Sequence, residues 1–133
     1  LLTSHKERLV ILKAKKMGVF GYILKDEPFV EVKNCIQSVM NRRFYHSKVF
    51  NDVFENEIVP ELKKIKFLSP SELTIVRLIA KEKSSKEISD LLSISIRTVE
   101  KHRSNIISKL ALPKSKVALQ VWINRNKGIL ASL

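Results

Sequence analysis

The sequence lacks the features that would place it in a membrane or in a secretory pathway. Its apolar runs are short, and none approaches the ~20 residues that a membrane-spanning helix needs. The first residues, Leu1 to Ser4, include no initiator methionine and no basic segment of the kind that opens a secretory signal. We therefore expect a cytoplasmic protein without membrane contact, and a sequence that is a piece of a longer chain.

Cysteine is almost absent, and so are the usual arrangements of catalytic residues. The single Cys35 cannot form an internal disulfide and has no partners at the spacing of a metal site. Its place among apolar residues at helical spacing predicts a buried, inert thiol. No Ser, His and Asp residues stand at the spacing of a hydrolase motif. We predict no catalytic site, no metal site and no cofactor in this chain, which would then not be an enzyme.

Acidic residues are scarce relative to basic ones, with 13 Asp and Glu against 25 Lys and Arg, a net charge of +12. From Thr98 to Leu133 there are seven basic residues and one acidic residue, a net charge of +6. Such an excess favours an anionic partner, either nucleic acid or a membrane surface. A solvated lysine-rich surface would have the same composition. A membrane surface is disfavoured, because no segment has the large apolar face of an interfacial helix.

The length of 133 residues fits one ordinary domain or two small ones. Residues 1–41 alternate between helical and strand patterns, 42–66 indicate a linker with short helices, and 67–133 predict helices throughout. The expected fold is mainly α, with a partial α/β segment at the front. The elements expected in the first two regions are a strand end at Leu1–Leu2, a helix from Lys6 to Met17, a strand from Val19 to Leu24, a helix after Pro28, and short helices near 48–54 and 60–66.

The caps and breaks in residues 67–133 predict four helices. The clearest signal is the capping box of Ser69 and Glu72, with Pro70 at the first helical position. Only Ser93–Ser95 separates a short second helix from a longer third one, which is the spacing of a helix-turn-helix. The first helix is expected from Ser69 to about Lys81, and the second begins at a cap that is either Ser84 or Ser85. The third is expected from Ser95 through Leu110, and the fourth from Ser115 to about Asn126.

The third of these helices has two unlike faces. Val99, His102, Ile106 and Leu110 recur at three- and four-residue spacing, which predicts a packed inner face. The opposite face carries short polar and cationic side chains, which suit base edges and phosphates in a major groove. A bulky apolar face there would instead favour a protein partner. The outer residues are Glu100, Lys101, Ser104, Asn105 and Ser108.

A long segment of the chain, FLSPSELTIVRLIAKEKSSKEISDLLSISIRTVEKHRSNIISKL, resembles the LuxR-type DNA-binding domain. That family's pattern runs roughly L-T-P-x-E, L-I-A, S-N-K-E-I-A-x-x-L-x-I-S and T-V-x-x-H-x-x-x-I-x-x-K-L. Ser69, Ser85 and Ser89 are conservative departures from it. Glu82 stands where the family usually has glycine, and Glu100 where lysine is frequent. A glutamate can accept from a cytosine amino group, so this position predicts a different base preference.

The resemblance assigns roles to the third and fourth helices. The third would enter the major groove of operator DNA, and the fourth would join a two-fold dimer on paired half-sites. The apolar face of the fourth helix could instead close the domain core. The residues expected at DNA are Thr98 and Lys109 at phosphates, Glu100, Lys101 and Ser104 at bases, and Arg103 and Asn105 at the groove wall; those expected at the dimer are Val117, Val121 and Trp122.

The segment MGVFGYILKD resembles the last strand of the receiver domain in NarL/FixJ-type response regulators. By that resemblance Thr3, Tyr22 and Lys25 match the switch residues beside a phosphorylation site. A hydroxyl and an ammonium bind phosphoryl oxygens, and the aromatic ring moves as the hydroxyl does. The resemblance covers about the last third of a receiver. The phospho-accepting aspartate and the acidic pair that binds Mg²⁺ are therefore expected upstream, in an intact receiver only.

The two resemblances together imply a bacterial, DNA-binding response regulator of a two-component system, which controls transcription as a dimer. Its partners would be double-stranded DNA, a second copy of the chain and, for the intact protein, a sensor histidine kinase. One alternative is a LuxR-type regulator whose front half senses something other than phosphate. Another is a helical protein–protein interaction module, which salt-insensitive or absent DNA binding would favour.

Overall fold

The structure is a computed structural model that describes the backbone of Leu2 and Thr3 and all of residues 8–133. It divides into two compact units, Leu1–Pro60 and Glu61–Leu133. The division falls inside the segment 42–66, for which the sequence predicts a linker. Helices dominate, as the sequence predicted. Within the described residues, no helix combines the length and the apolar character that a membrane span requires.

The first unit contains a small parallel sheet connected through helices. The strands lie in chain order, so each crossover joins neighbouring strands, as expected for β–α–β units. The alternation confirms the α/β interpretation of the front of the chain, and a third short strand adds to it. The elements are β1 (Leu2–Thr3), α1 (Arg8–Lys16), β2 (Gly21–Leu24), α2 (Phe29–Met40) and β3 (Tyr45–His46).

The central strand β2 is buried at all four of its residues. A parallel strand covered on both faces needs an apolar sequence, which explains the run from Tyr22 to Leu24. Gly21 is required at its start, because a Cβ there would lie 2.7 Å from Sγ of Cys35. Cys35 itself is buried, as the sequence predicted.

A long helical stretch follows β3 without interruption. It comprises α3 (Lys48–Val53), a π-helical segment (Phe54–Ile58) and α4 (Val59–Lys66). Ser47 caps α3 by accepting a hydrogen bond from the backbone N–H of Phe50 at 3.3 Å. The two short helices expected here are therefore present, joined by a widened turn that the sequence did not predict.

The rest of the chain forms α5 (Pro70–Ala80), α6 (Ser85–Leu92), α7 (Ile96–Lys109) and α8 (Lys116–Ala131). The capping box at α5 is confirmed: Glu72 N–H donates to Ser69 Oγ at 3.2 Å, and Ser69 N–H donates to Glu72 Oε2 at 2.8 Å. A second capping box at α6 selects Ser84 rather than Ser85 as the cap. Ser95 caps α7, as predicted. The local signals in the sequence therefore located each helix start.

The end of α8 differs from the prediction. The sequence predicted an end near Asn126, but the helix continues to Ala131. Asn126 is buried, and its side-chain amide donates to the backbone oxygen of Trp122 at 2.9 Å. The polar residue is thus satisfied inside the core instead of marking the helix end, and Ile129 and Leu130 beyond it are also buried.

Helix ends in this chain adopt the left-handed backbone conformation mostly without glycine. The sequence has three glycines, and Gly18 ends α1 with a φ of 65°. Other helices end at residues with a Cβ, for which this conformation costs roughly 1–2 kcal/mol. The positions just beyond α2, α5, α6 and α7 are Arg42 (φ 54°), Glu82 (φ 61°), Ser93 (φ 54°) and Ala111 (φ 52°).

Replacing Glu82 with glycine is expected to stabilise the second unit by about 0.5–1 kcal/mol. Glu82 is exposed and occupies the left-handed position of a Schellman motif, in which Lys83 N–H donates to Leu78 O at 3.1 Å. Glycine relieves the Cβ strain and leaves these backbone bonds in place, although it loses more entropy on folding. Urea denaturation measures the gain, with Glu82→Ala as the control that keeps the Cβ. Equal stability of the two variants would contradict a strain effect.

Candidate nucleic-acid interface

The helix-turn-helix is built on a buried seam between α6 and α7. Ile88 of α6, Val99 and Ile106 of α7, and Leu110 directly after α7 are fully buried, and His102 is partly buried. The inner face predicted for α7 is therefore confirmed. Because this seam fixes the rotation of α7, it also fixes which side chains face away from the domain.

The outer face of α7 is exposed and polar. Lys101, Ser104, Asn105 and Ser108 are all exposed, whereas Arg103 and Thr98 are partly buried. Thr98 Oγ1 lies 2.8 Å from Oγ of the capping Ser95, so this hydroxyl belongs to the helix cap. The structure thus brings most of the sequence-predicted DNA residues onto one face. Glu100 and Lys109, like Thr98, have partners within the domain.

Glu100 is held by residues from two other helices. Ser85 Oγ donates to Glu100 Oε1 at 2.5 Å, and Lys116 Nζ lies 3.3 Å from both carboxylate oxygens. The hydrogen bond from Ser85, with Lys116 adding to it, lowers the pKa of Glu100 despite partial burial. Sequence reasoning missed Ser85 and Lys116, because each is about fifteen residues away along the chain and only the fold brings them together.

Lys109, expected at a DNA phosphate, contacts the first helix of the domain. Its Nζ lies 2.7 Å from Oε2 of Glu72, the residue that also completes the capping box of α5. Burial would raise the pKa of Glu72, but the hydrogen bonds from Lys109 and from Ser69 outweigh it and hold the pKa below its usual value. The pair therefore joins the end of α7 to the start of α5.

The three residues expected at the dimer interface separate into two environments. Val117 and Val121, one helical turn apart on α8, are 70% and 60% exposed. Trp122 is only 6% exposed, and its indole N–H donates to Oε2 of Glu61 at 2.6 Å. Trp122 therefore belongs to the core of the second unit and does not share the exposed valine face.

The residues matched to a receiver switch also differ in their surroundings. The Tyr22 side chain is fully buried, with its ring centroid 4.5 Å from that of Phe50. Burial, with Glu27 adding to it, raises the pKa of Tyr22. Lys25 is exposed just beyond β2. The backbone of Thr3 pairs in register with Leu24, but its side chain lies outside the described part of the chain.

The described residues include no cluster of three or more potential metal ligands, which are His, Cys, Asp and Glu side chains. A Mg²⁺ ion prefers several oxygen ligands, commonly carboxylates together with water. We therefore derive no role for a metal from the residues of this unit.

Comparison with known families identifies the class of the second unit. Residues 66–122 match the family described as bacterial regulatory proteins, luxR family. This segment includes α5, α6, α7 and the first part of α8. The second unit therefore contains a LuxR-type helix-turn-helix domain, as the resemblance in the sequence predicted.

Two curated relatives extend the similarity over most of the chain. The chain is 37% identical to the transcriptional regulatory protein DesR of Bacillus subtilis, over 83% of this chain and 52% of DesR. It is 32% identical to the oxygen regulatory protein NreC of Staphylococcus aureus, over 96% of this chain and 62% of NreC. The chain thus spans between about half and three fifths of the length of these relatives.

Solved structures show the same fold. The RcsB response regulator of Salmonella typhimurium has a TM-score of 0.62 at 19% identity, over 92% of this chain and 57% of that one. A structure of two RcsB dimers bound to two parallel DNAs has a TM-score of 0.51 at 21% identity, over 93% of this chain and 57% of that one. At these identities the likeness establishes the fold alone.

Proposed function

We propose that this chain is the DNA-binding part of a response regulator that controls transcription, and that α7 reads operator DNA in the major groove. The observation that carries the proposal is the exposed polar face of α7, mounted on a fully buried helix-turn-helix seam. The net charge of +6 from Thr98 onward supports it. DesR is named a transcriptional regulatory protein, which agrees with a function in binding rather than catalysis.

Within this proposal the outer residues of α7 divide by depth. Lys101, Ser104 and Asn105 are exposed; Lys101 and Ser104 are assigned to base edges and Asn105 to the groove wall. Thr98 is assigned to a DNA phosphate and Arg103 to the groove wall, and both are partly buried. Lys109 and Glu100 have partners inside the domain, so either would have to leave its partner to contact DNA.

Lys101→Ala is expected to weaken binding to the preferred operator by about 1–3 kcal/mol and to relax preference at one base position. The preferred sequence comes from selection on a pool of random duplexes with the unaltered chain. Fluorescence anisotropy at increasing salt concentrations then gives the affinity and the salt slope, which is the change in log affinity with log salt concentration. Lys33→Ala is the control, because it also removes one positive charge, from an exposed position on α2. DNA affinity that does not depend on salt concentration, or no DNA binding at all, would favour the alternative function as a protein–protein interaction module.

We also propose that the chain binds DNA as a homodimer through Val117 and Val121. Two exposed valines one turn apart form a small apolar patch, which the same patch of a second copy would cover. Because the patch is small, the dimer is expected to be weak in solution and to strengthen on paired half-sites. RcsB, which shares the fold, has been solved as dimers bound to DNA, and this supports the proposed arrangement.

Val121→Asp is expected to abolish cooperative loading of two copies on an inverted-repeat duplex, because a charge would be buried at the interface. Val121 is 60% exposed in the single chain, so the fold should persist. Sedimentation with and without the duplex measures the stoichiometry, and circular dichroism checks that helix content is unchanged. A folded variant that still loads two copies cooperatively would place the dimer contact elsewhere.

For the intact protein we propose a cytoplasmic two-component system. A sensor histidine kinase would phosphorylate an aspartate outside this sequence, with Mg²⁺ bound by acidic residues there. Thr3, Tyr22 and Lys25 would then be the switch residues. The similarity to NreC over 96% of this chain, but 62% of NreC, supports this proposal. Incubating the full-length gene product with acetyl phosphate and Mg²⁺ tests it, since a mass increase of one phosphoryl group is expected.

A further inference from the structure

Glu100 is the acidic residue of α7, and it lies among cations beside the proposed DNA surface. It lines an open cleft of about 720 Å³ between α7 and the start of α8, together with Arg103, Ser104, Lys114 and Lys116. A carboxylate at this place repels DNA phosphates, whereas the surrounding residues attract them. Its presence therefore needs a physical explanation.

The carboxylate has partners on two sides. Ser85, at 2.5 Å, is the first residue of α6, and Lys116, at 3.3 Å, is the first residue of α8. Helix N-termini favour negative charge, so Glu100 joins the beginnings of two helices to the side of α7. To reach a cytosine amino group, it would have to give up a charge-assisted hydrogen bond.

We propose that Glu100 is a positioning residue that restrains Lys116 at the wall of the cleft, and that it does not read a base. This inference rests on the proposed DNA-binding function. While Glu100 pairs with Lys116, the lysine is unavailable to a DNA phosphate. The pair therefore lowers affinity for all sequences equally and leaves base preference to Lys101 and Ser104.

The test uses the full chain with Glu100→Gln, Lys116→Met and the double variant. Glutamine keeps the shape of glutamate and can still accept from Ser85, but it loses the charge that holds Lys116. Affinity and salt slope are measured by anisotropy on the selected duplex and on one of unrelated sequence. Lys114→Met, an exposed lysine two residues away, is the matched control.

Glu100→Gln is expected to raise affinity for both duplexes and to steepen the salt slope by about one, since Lys116 becomes free to contact a phosphate. Lys116→Met should change little alone, but should reverse the gain in the Glu100→Gln background. Lys114→Met should have the same effect in both backgrounds. Base preference, measured by repeating the selection, should not change.

Two results would overturn the proposal. A switch of preferred base at one position in Glu100→Gln, whatever residue stands at 116, would show direct base reading. Additive effects of Glu100→Gln and Lys116→Met would show that the two residues are not coupled. If the unaltered chain binds no duplex, the DNA-binding function fails instead.

A measurement without DNA decides the pairing independently. Carbon-13 NMR follows the Glu100 carboxyl during a pH titration of the unaltered chain, Lys116→Met and Ser85→Ala. Loss of either partner should raise the carboxyl pKa toward its ordinary value. A pKa unchanged in both variants would overturn the positioning role, even if DNA binding is confirmed.

Discussion

Trp122→Ala is expected to lower the free energy of unfolding of the second unit by about 3–5 kcal/mol. The side chain is 6% exposed, and its indole N–H donates to Glu61 at 2.6 Å. The substitution leaves a large cavity and removes the indole N–H that donates to Glu61, whereas the backbone oxygen that accepts from Asn126 remains. Because Trp122 is the single tryptophan, circular dichroism must follow the urea denaturation of this variant.

The matched controls separate packing from hydrogen bonding. Trp122→Phe keeps most of the ring volume and loses the N–H, so a smaller loss of about 1–3 kcal/mol is expected. Val121→Asp, next to it in the sequence but exposed, should change monomer stability by less than either. If Trp122→Ala dissociates a dimer while leaving the stability of the single chain unchanged, the buried placement of this residue is wrong.

Lys109→Met is expected to cost about 2–3 kcal/mol of stability. It leaves the Glu72 carboxylate, whose side chain is 5% exposed, without its cationic partner. Breaking a fully buried pair costs about 3–5 kcal/mol, and the loss is smaller here because the Lys109 side chain is 39% exposed. Urea denaturation followed by the fluorescence of Trp122 measures it.

The same variant should shift the acid denaturation of the domain. The folded pKa of Glu72 lies below its usual value. Its stabilising contribution is therefore present above the unfolded pKa and is lost as pH falls through the folded pKa. Without Lys109 the effect of burial is less opposed, so the folded pKa rises. The acid midpoint of Lys109→Met is then expected at higher pH than that of the unaltered chain.

Lys114→Met is the control, because it removes one exposed positive charge nearby and should cost less than about 0.5 kcal/mol. The comparison also decides between the two roles considered for Lys109. If Lys109→Met leaves stability intact but lowers the salt slope of DNA binding by about one, Lys109 is a phosphate contact as the sequence resemblance implied. Loss of stability at an unchanged slope supports the pairing with Glu72.

The sequence was informative where the signal was local. Ser69 with Glu72, and Ser95 at the start of α7, located helix starts because capping depends on residues only three positions apart. The inner face of α7 was equally clear, since Val99 and Ile106 share a side of the helix and its outer side is polar. Helix caps and helix faces depend on residues that are close in sequence, so they can be predicted without knowing the tertiary contacts.

Long-range partners were not predictable in this way. Nothing local links Lys109 to Glu72, which lies 37 residues earlier. On α8 both sides carry apolar residues at helical spacing, so periodicity alone could not separate exposed Val121 from buried Ile123. The end of α8 was missed for a related reason, because Asn126 is polar in the sequence but satisfied inside the core.

The turn between α6 and α7 has a consequence for how the domain tolerates change. Its left-handed residue is Ser93, whose own preference opposes this conformation. The packing of the buried Ile88 and Val99 side chains must therefore offset the cost of this turn. Substitutions at position 93 should therefore change the thermal stability of the domain. Substitutions at Ile88 or Val99 should instead change the orientation of α7 and, with it, the proposed preference for DNA sequence.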